Sequence, residues 1–220
     1  MEKITDFILK GYYQGSFPMS NSREDEKIFF VNPDYRAIIP IDRAHISRSL
    51  TKALLKKDYR ITSDKFFSRV INSCGSPVFG RYETWINRTI IKVFNELHKN
   101  GFAHSVEIWK GTSLVGGIYG ISIGRVFFAE SMFSSVTNAS KIALIFLLSK
   151  LHFSKFQLFD VQFLTPHLAS MGAIEISKSK YLDLLNKSIY LENKFPQINT
   201  SKVDDWIILK NYLHEVRDIS

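Results

Sequence analysis

The sequence predicts a mixed α/β (α+β) fold, and three features carry that expectation. Stretches with apolar residues at i, i+3 and i+4 dominate the first hundred residues and read as helices. Three alternating segments joined by tight turns follow over 103–128 and read as a β-meander. Helix, strand, helix and strand then alternate. Hydrophobic residues make up 45% of the 220 positions, enough for one large domain or one with a small annex.

Ile4–Tyr13 has helical spacing and runs into a turn around Gly15–Pro18. A charged loop over Asn21–Lys27 leads to a short apolar strand, Ile28–Val31, and Asn32–Asp34 reads as a turn before a strand at Arg36–Pro40. Residues 1–36 are therefore expected to form a small N-terminal domain, and 37–220 the main one. Ser47–Lys56 fits a helix, with Leu50, Ala53 and Leu54 on one face, and Arg60–Thr62 fits a strand. Asp64 is expected to cap a helix over Lys65–Ser73, and Gly75–Gly80 to form a loop. Thr84 is expected to open a helix reaching Lys99, which Asn100–Gly101 stops.

The meander comprises Ala103–Trp109, Leu114–Ser122 and Val126–Phe128. Asn138 is expected to cap a helix reaching about His152. Gln157–Phe163 then reads as a strand, His167–Met171 as a short helix, Ala173–Ile176 as a strand, and Tyr181–Leu185 as the start of another helix. Meander, helix, strand, helix, strand is the order of a GNAT-like acyltransferase core, in which a mixed sheet splays apart to admit an acyl donor.

Lys and Arg total 29 against 21 Asp and Glu, a formal charge of +8 that attracts polyanions, nucleic acid first and anionic membrane second. Cys74 is the only cysteine, which excludes an internal disulfide and a thiolate zinc cage and points to a reducing compartment. Charges at Glu2, Lys3, Asp6 and Lys10 exclude a signal peptide over Met1–Gly11, and no apolar run is long enough for a membrane helix. The expected location is cytoplasmic.

The sequence contains neither a phosphate-binding Gly-x-x-x-x-Gly-Lys loop nor a Gly-x-Gly-x-x-Gly turn, and no histidines have metal spacing, so no cofactor and no metal are expected. The stretch before the helix after the meander, Met132–Lys141, has neither glycine nor arginine, which argues against a coenzyme A pyrophosphate. Two features are suited to reaction chemistry. Glu130 sits among Phe127, Phe128, Met132 and Phe133, where a carboxylate must be hydrogen-bonded or paired. It either accepts donors from a ligand or belongs to a structural ion pair. Asp160 and Gln162 are two apart on a strand and so face the same side of the sheet, as a functional pair or as a polar network.

Several segments resemble the leucyl/phenylalanyl-tRNA–protein transferase family. They are Gly11–Met19, Pro33–Arg36, His45–Leu50, Thr84–Ile86, Leu97–His98, Gly101–Trp109, Leu114–Gly120, Glu130–Ser134, Ala139–Lys141, Asp160–Gln162 and His167–Ala173. The resemblance implies transfer of Leu or Phe, and sometimes Met, from aminoacyl-tRNA to the N-terminal Arg or Lys of an acceptor protein, marking it for N-degron proteolysis. It implies a catalytic pair, with Gln162 touching the incoming amine and Asp160 polarising Gln162, as a base or as a positioning device. It also implies that Trp85 and Glu130 hold the terminal adenosine, with Met19 where some members carry a second Trp. Ile118, Phe127, Met132, Leu147 and Phe159 match the lining of the donor side-chain pocket. A monomer is expected. The runner-up enzyme, a peptidoglycan-branching transferase, carries a duplicated fold.

Overall fold

The computed structural model describes residues 2–77 and 82–218. Residues 78–80 of the expected Gly75–Gly80 loop, and Met1, lie outside them. The chain begins with α1 (Glu2–Tyr13), whose apolar face buries Ile8 and Tyr12, and a ribbon of β1 (Phe17–Met19) paired antiparallel with β2 (Phe29–Val31). Gly15, at φ +77°, makes the turn between α1 and β1. β3 (Tyr35–Ile38) already belongs to the main sheet, so the boundary expected between residues 36 and 37 falls within a strand.

Then come α2 (Arg48–Leu55), β4 (Arg60–Ser63), α3 (Phe67–Cys74) and α4 (Arg88–Lys99). The meander is β5 (Ala103–Lys110), β6 (Ser113–Ile123) and β7 (Val126–Ser134), followed by α5 (Ala139–Phe153), β8 (Leu158–Gln162), α6 (Pro166–Ala169) and β9 (Ile174–Ser177). α7 (Lys178–Ser188) and α8 (Val203–Asp218) complete the chain. Among the described residues, seven strands form one mixed sheet in the order β4-β5-β6-β7-β8-β3-β9, in which only β7 and β8 run parallel.

Alternate residues of the strands feed two core layers, one on each face. One layer joins Val106, Ile118, Phe127 and Phe159 to α2, α5 and α8, and the other joins Tyr119, Ile121, Phe128 and Leu158 to α1, α3, α4 and α7. Close approach explains the glycines of β6: a Cβ on Gly120 would collide with the Phe128 carbonyl oxygen.

Three expected helix starts differ from the structure. Asp64 adopts φ +56° and caps nothing. Its carboxylate accepts from His104 Nδ1, the Ser105 amide and Gln197 Nε2 at 2.8, 2.9 and 2.9 Å, and α3 starts later, at Phe67. Residues 84–87 are not helical. Asn87 is the cap of α4, accepting from the Ile90 amide at 2.7 Å, while its own amide holds the charged loop through the Asp25 carbonyl. Asn138 is left-handed, at φ +68°, and makes no capping hydrogen bond; the Ser134 hydroxyl accepts from the Ser140 amide instead. α8 is an element that no sequence expectation covered. The segment leading into it runs beside β4, pairing Ser63 with Ile198 and Ile61 with Thr200 through backbone hydrogen bonds, and so covers the edge of the sheet.

Candidate active site

The parallel pairing of β7 and β8 ends early. Val126, Phe127 and Phe128 register with Leu158, Phe159 and Asp160, and no pair follows. Both strands carry an extra residue where they part. Gly120 pairs Ala129 and Tyr119 pairs Ser131, so Glu130 is a bulge residue; Ala37 pairs Gln162 and Ile38 pairs Asp160, so Val161 is another. A recess of about 250 Å³ opens in the gap, with Ile118, Ala129, Met132, Val161 and Leu168 as its apolar wall and Glu130, Gln162, Thr165 and His167 as its polar side. Larger depressions lie elsewhere, at α2–α8 and beside Tyr190. Neither is lined by a buried polar atom that lacks a partner, and the recess is: Glu130 Oε2 has none among the described residues.

Glu130 is 7% exposed, and its Oε1 accepts from the Tyr12 hydroxyl at 2.6 Å and from Gln162 Nε2 at 3.0 Å. Burial pushes its carboxyl up to about 7, outweighing the hydrogen bonds from Tyr12 and Gln162; the charges of Asp160 and Arg36 act in opposite directions. The Tyr12 hydroxyl is itself pushed well up, by burial and then by the charge of Glu130.

Asp160 lies one layer behind. It is fully buried, and Arg36 grips it with Nε at 2.9 Å and Nη2 at 2.7 Å, while the Tyr181 hydroxyl donates at 2.7 Å. The Arg36 guanidinium is stacked between the rings of Phe17, 4.3 Å away, and Tyr181, 4.7 Å away. The remaining donor to Asp160 is the backbone N–H of Gln162, at 2.8 Å. The expected link from Asp160 to the Gln162 side chain is thus a link to its backbone. Gln162 has φ +66°, a left-handed conformation that turns its side chain away from Asp160 and toward Glu130.

Ile118 and Met132 line the recess. Phe127, Leu147 and Phe159 do not; they are buried in the core layer that contains Ile118, with the rings of Phe127 and Phe159 stacked 5.7 Å apart. Trp85 lies half-buried in the loop before α4, and its carbonyl accepts from the hydroxyl of Ser20, the residue after the half-buried Met19, at 2.8 Å. Trp85 and Met19 pack on the same core layer as Phe133 of β7. Tyr12, Arg36 and Tyr181 hold the two carboxylates, and no local pattern in the sequence marks them for that. The first two stand inside segments that carry the family resemblance, which was the available signal. Among the described residues, no group of three or more His, Cys, Asp or Glu is placed to hold a metal.

A profile of the family described as leucyl/phenylalanyl-tRNA protein transferase matches residues 38–186. The chain is 48% identical over 182 residues to a leucyl/phenylalanyl-tRNA–protein transferase of Cereibacter sphaeroides, covering 83% of each chain. It is 45% identical over 188 residues to that of Maricaulis maris, covering 86% of this chain and 87% of the relative. With that of Rhodospirillum rubrum it shares 44% over 190 residues, covering 86% and 89%.

Proposed function

The chain belongs to the leucyl/phenylalanyl-tRNA protein transferase family, and from that premise we propose how its recess serves the reaction. The enzyme transfers Leu or Phe from aminoacyl-tRNA to the N-terminal residue of a protein, an N-degron activity. In our reading the main domain is GNAT-like, with the gap between β7 and β8 as the donor cleft and residues 1–36 as a small N-terminal domain packed beside it, its last two residues, Tyr35 and Arg36, already shared with β3 of the main sheet. The donor's apolar side chain enters the recess against Ile118 and Met132, with Phe127, Leu147 and Phe159 as the packed layer behind. A pocket that discriminates by only about 1–3 kcal/mol per methylene suits an enzyme taking both Leu and Phe, and Met as well. The adenine stacks on Trp85 beside Met19, and Glu130 faces its ribose.

An aminoacyl ester is already activated, so most of the work is bringing an amine to its carbonyl. The single observation behind this reading is the hydrogen bond between Gln162 and Glu130 at the point where the two strands part. With its N–H committed to Glu130, the Gln162 amide presents its oxygen to the incoming amine. Asp160, clamped by Arg36 and Tyr181, holds the Gln162 backbone in its left-handed conformation. The acceptor is an N-terminal Arg or Lys, the net charge of +8 meets the phosphates of the tRNA, and the enzyme works as a cytoplasmic monomer. Among the described residues no helix is long and apolar enough to cross a membrane.

Labelled Leu-tRNA and peptides beginning with Arg, Lys or another residue test this. Arg and Lys peptides should gain one leucyl residue, read by mass. Transfer only to some other amine would overturn the acceptor assignment.

A further inference from the structure

Glu130 lines the recess, Asp160 holds the Gln162 backbone behind it, and their surroundings divide the labour between them. Both oxygens of Asp160 are occupied by Arg36, Tyr181 and the Gln162 amide, and the side chain is fully buried away from the recess. Such a group cannot receive a proton from substrate. Glu130 is arranged the opposite way. One oxygen is fixed by Tyr12 and Gln162, while the other is buried, unpartnered among the described residues, and part of a residue that lines the recess.

We propose that Glu130, through Oε2, is the proton shuttle of the transfer, and that Asp160 is a positioning residue only. This rests on the reading of the recess as the transfer site. The neutral amine attacks the ester carbonyl carbon and the C–N bond forms. The nitrogen, now positively charged, gives a proton to Glu130 Oε2. The tetrahedral intermediate then collapses, the bond from carbon to the 3′ oxygen breaks, and the proton passes from Glu130 to that oxygen. The carboxylate is returned unchanged, so one group serves as base and then as acid. Its elevated proton affinity, near 7, suits both halves of that cycle.

The other titratable groups around it are Tyr12 from α1, Tyr119 from β6, Arg36 from β3 and Asp160 from β8; Tyr181 from α7 stands behind, on Asp160, and His167 of α6 lines the same recess. Tyr12, Tyr119 and Tyr181 are all pushed well above their usual range, first by burial, and stay neutral in the working pH window. His167, lowered by burial and by Lys141, is the rival base.

The test is a single-turnover transfer from saturating Leu-tRNA to a saturating Arg peptide, followed over pH. The wild type must first show transfer; its absence would defeat the transfer reading itself and not the division of roles. The native rate should rise through two ionisations, Glu130 near 7 and the amine near 8. Glu130→Gln should lower the rate on the order of 100-fold or more and keep only the limb of the amine. Formate should restore part of the rate to Glu130→Ala. Tyr12→Phe removes a hydrogen bond that holds the Glu130 carboxyl down, so it should move the lower limb to higher pH, and this variant serves if those at 130 do not fold. Glu130→Gln turning over within about threefold of wild type, a limb that disappears in His167→Ala, or an unmoved limb in Tyr12→Phe would each overturn the proposal.

Discussion

The side-chain amide of Gln162 donates to Glu130 Oε1 at 3.0 Å, while Asp160, two residues before it on the same strand, reaches only its backbone N–H. The pair that faces the recess is therefore Gln162 with Glu130, drawn from two strands that have just parted, and Asp160 with Arg36 forms the frame behind it.

The left-handed backbone at Gln162, φ +66°, gives a stability test that does not depend on its side chain. Gln162→Ala and Gln162→Gly lose the same amide, but only Ala brings a Cβ into a conformation that penalises it. The Gly variant should be the more stable by about 1 kcal/mol in urea unfolding. Both should lose transfer rate on the order of 100-fold. Equal stability of the two would refute the strain.

Arg36→Ala would leave the fully buried Asp160 carboxylate without its countercharge. Breaking one side of such a pair destabilises by about 3–5 kcal/mol. Unfolding midpoints should show that loss, and a change below about 1 kcal/mol would mean the pair is not the frame of the site.

Glu130 makes stability depend on pH in a definite direction. Its folded value, about 7, lies above the ordinary glutamate value, so the folded state binds the proton more tightly than the unfolded state does. Its contribution is favourable below the unfolded pKa, declines as pH rises through the window from about 4.5 to about 7, and stays lost above it, at most roughly 3 kcal/mol. The difference in unfolding free energy between wild type and Glu130→Gln should change by that amount between pH 4 and 8. A flat difference would contradict it.

Asp64 behaves in the opposite sense. Burial alone would raise its carboxyl, but the bonds from His104, Gln197 and the Ser105 amide hold it below the usual carboxylate range. Its stabilisation is present above that range and is lost as pH falls through the lowered folded pKa. Because Gln197 precedes the stretch that covers β4, Asp64→Asn should speed hydrogen exchange at the Ile198 and Thr200 amides about tenfold, the equivalent of one charge-assisted hydrogen bond. Acid should produce the same change in wild type and little in the variant.

The three meander strands were legible because period-two apolar runs survive in the sequence from Ala103 to Phe128, whereas the place of β3 between β8 and β9 was not. The polar site was legible only in part. Period two put Asp160 and Gln162 on one face, but a bulge at Val161 and the left-handed turn at Gln162 send the two side chains to different partners. Tyr12 and Arg36 meet their carboxylates across 118 and 124 residues, a relationship that local pattern does not encode. Thr84 looked like a helix start because Ile86 and Ile90 have helical spacing; the Asn87 side chain, bonded to both the Ile90 amide and the Asp25 carbonyl, fixes the true start. α8 was missed because its apolar residues follow no clean helical face in the sequence and gain their burial against α5.

The central claim is that the gap between β7 and β8 receives the aminoacyl end of the donor. A crystal structure with a non-hydrolysable phenylalanyl-adenosine amide tests it most directly. The phenyl ring should lie in the recess against Ile118 and Met132, the carbonyl carbon beside Gln162 and the adenine on Trp85. A ligand seated at the α2–α8 depression, with the recess beside Glu130 and Gln162 unaltered, would contradict it.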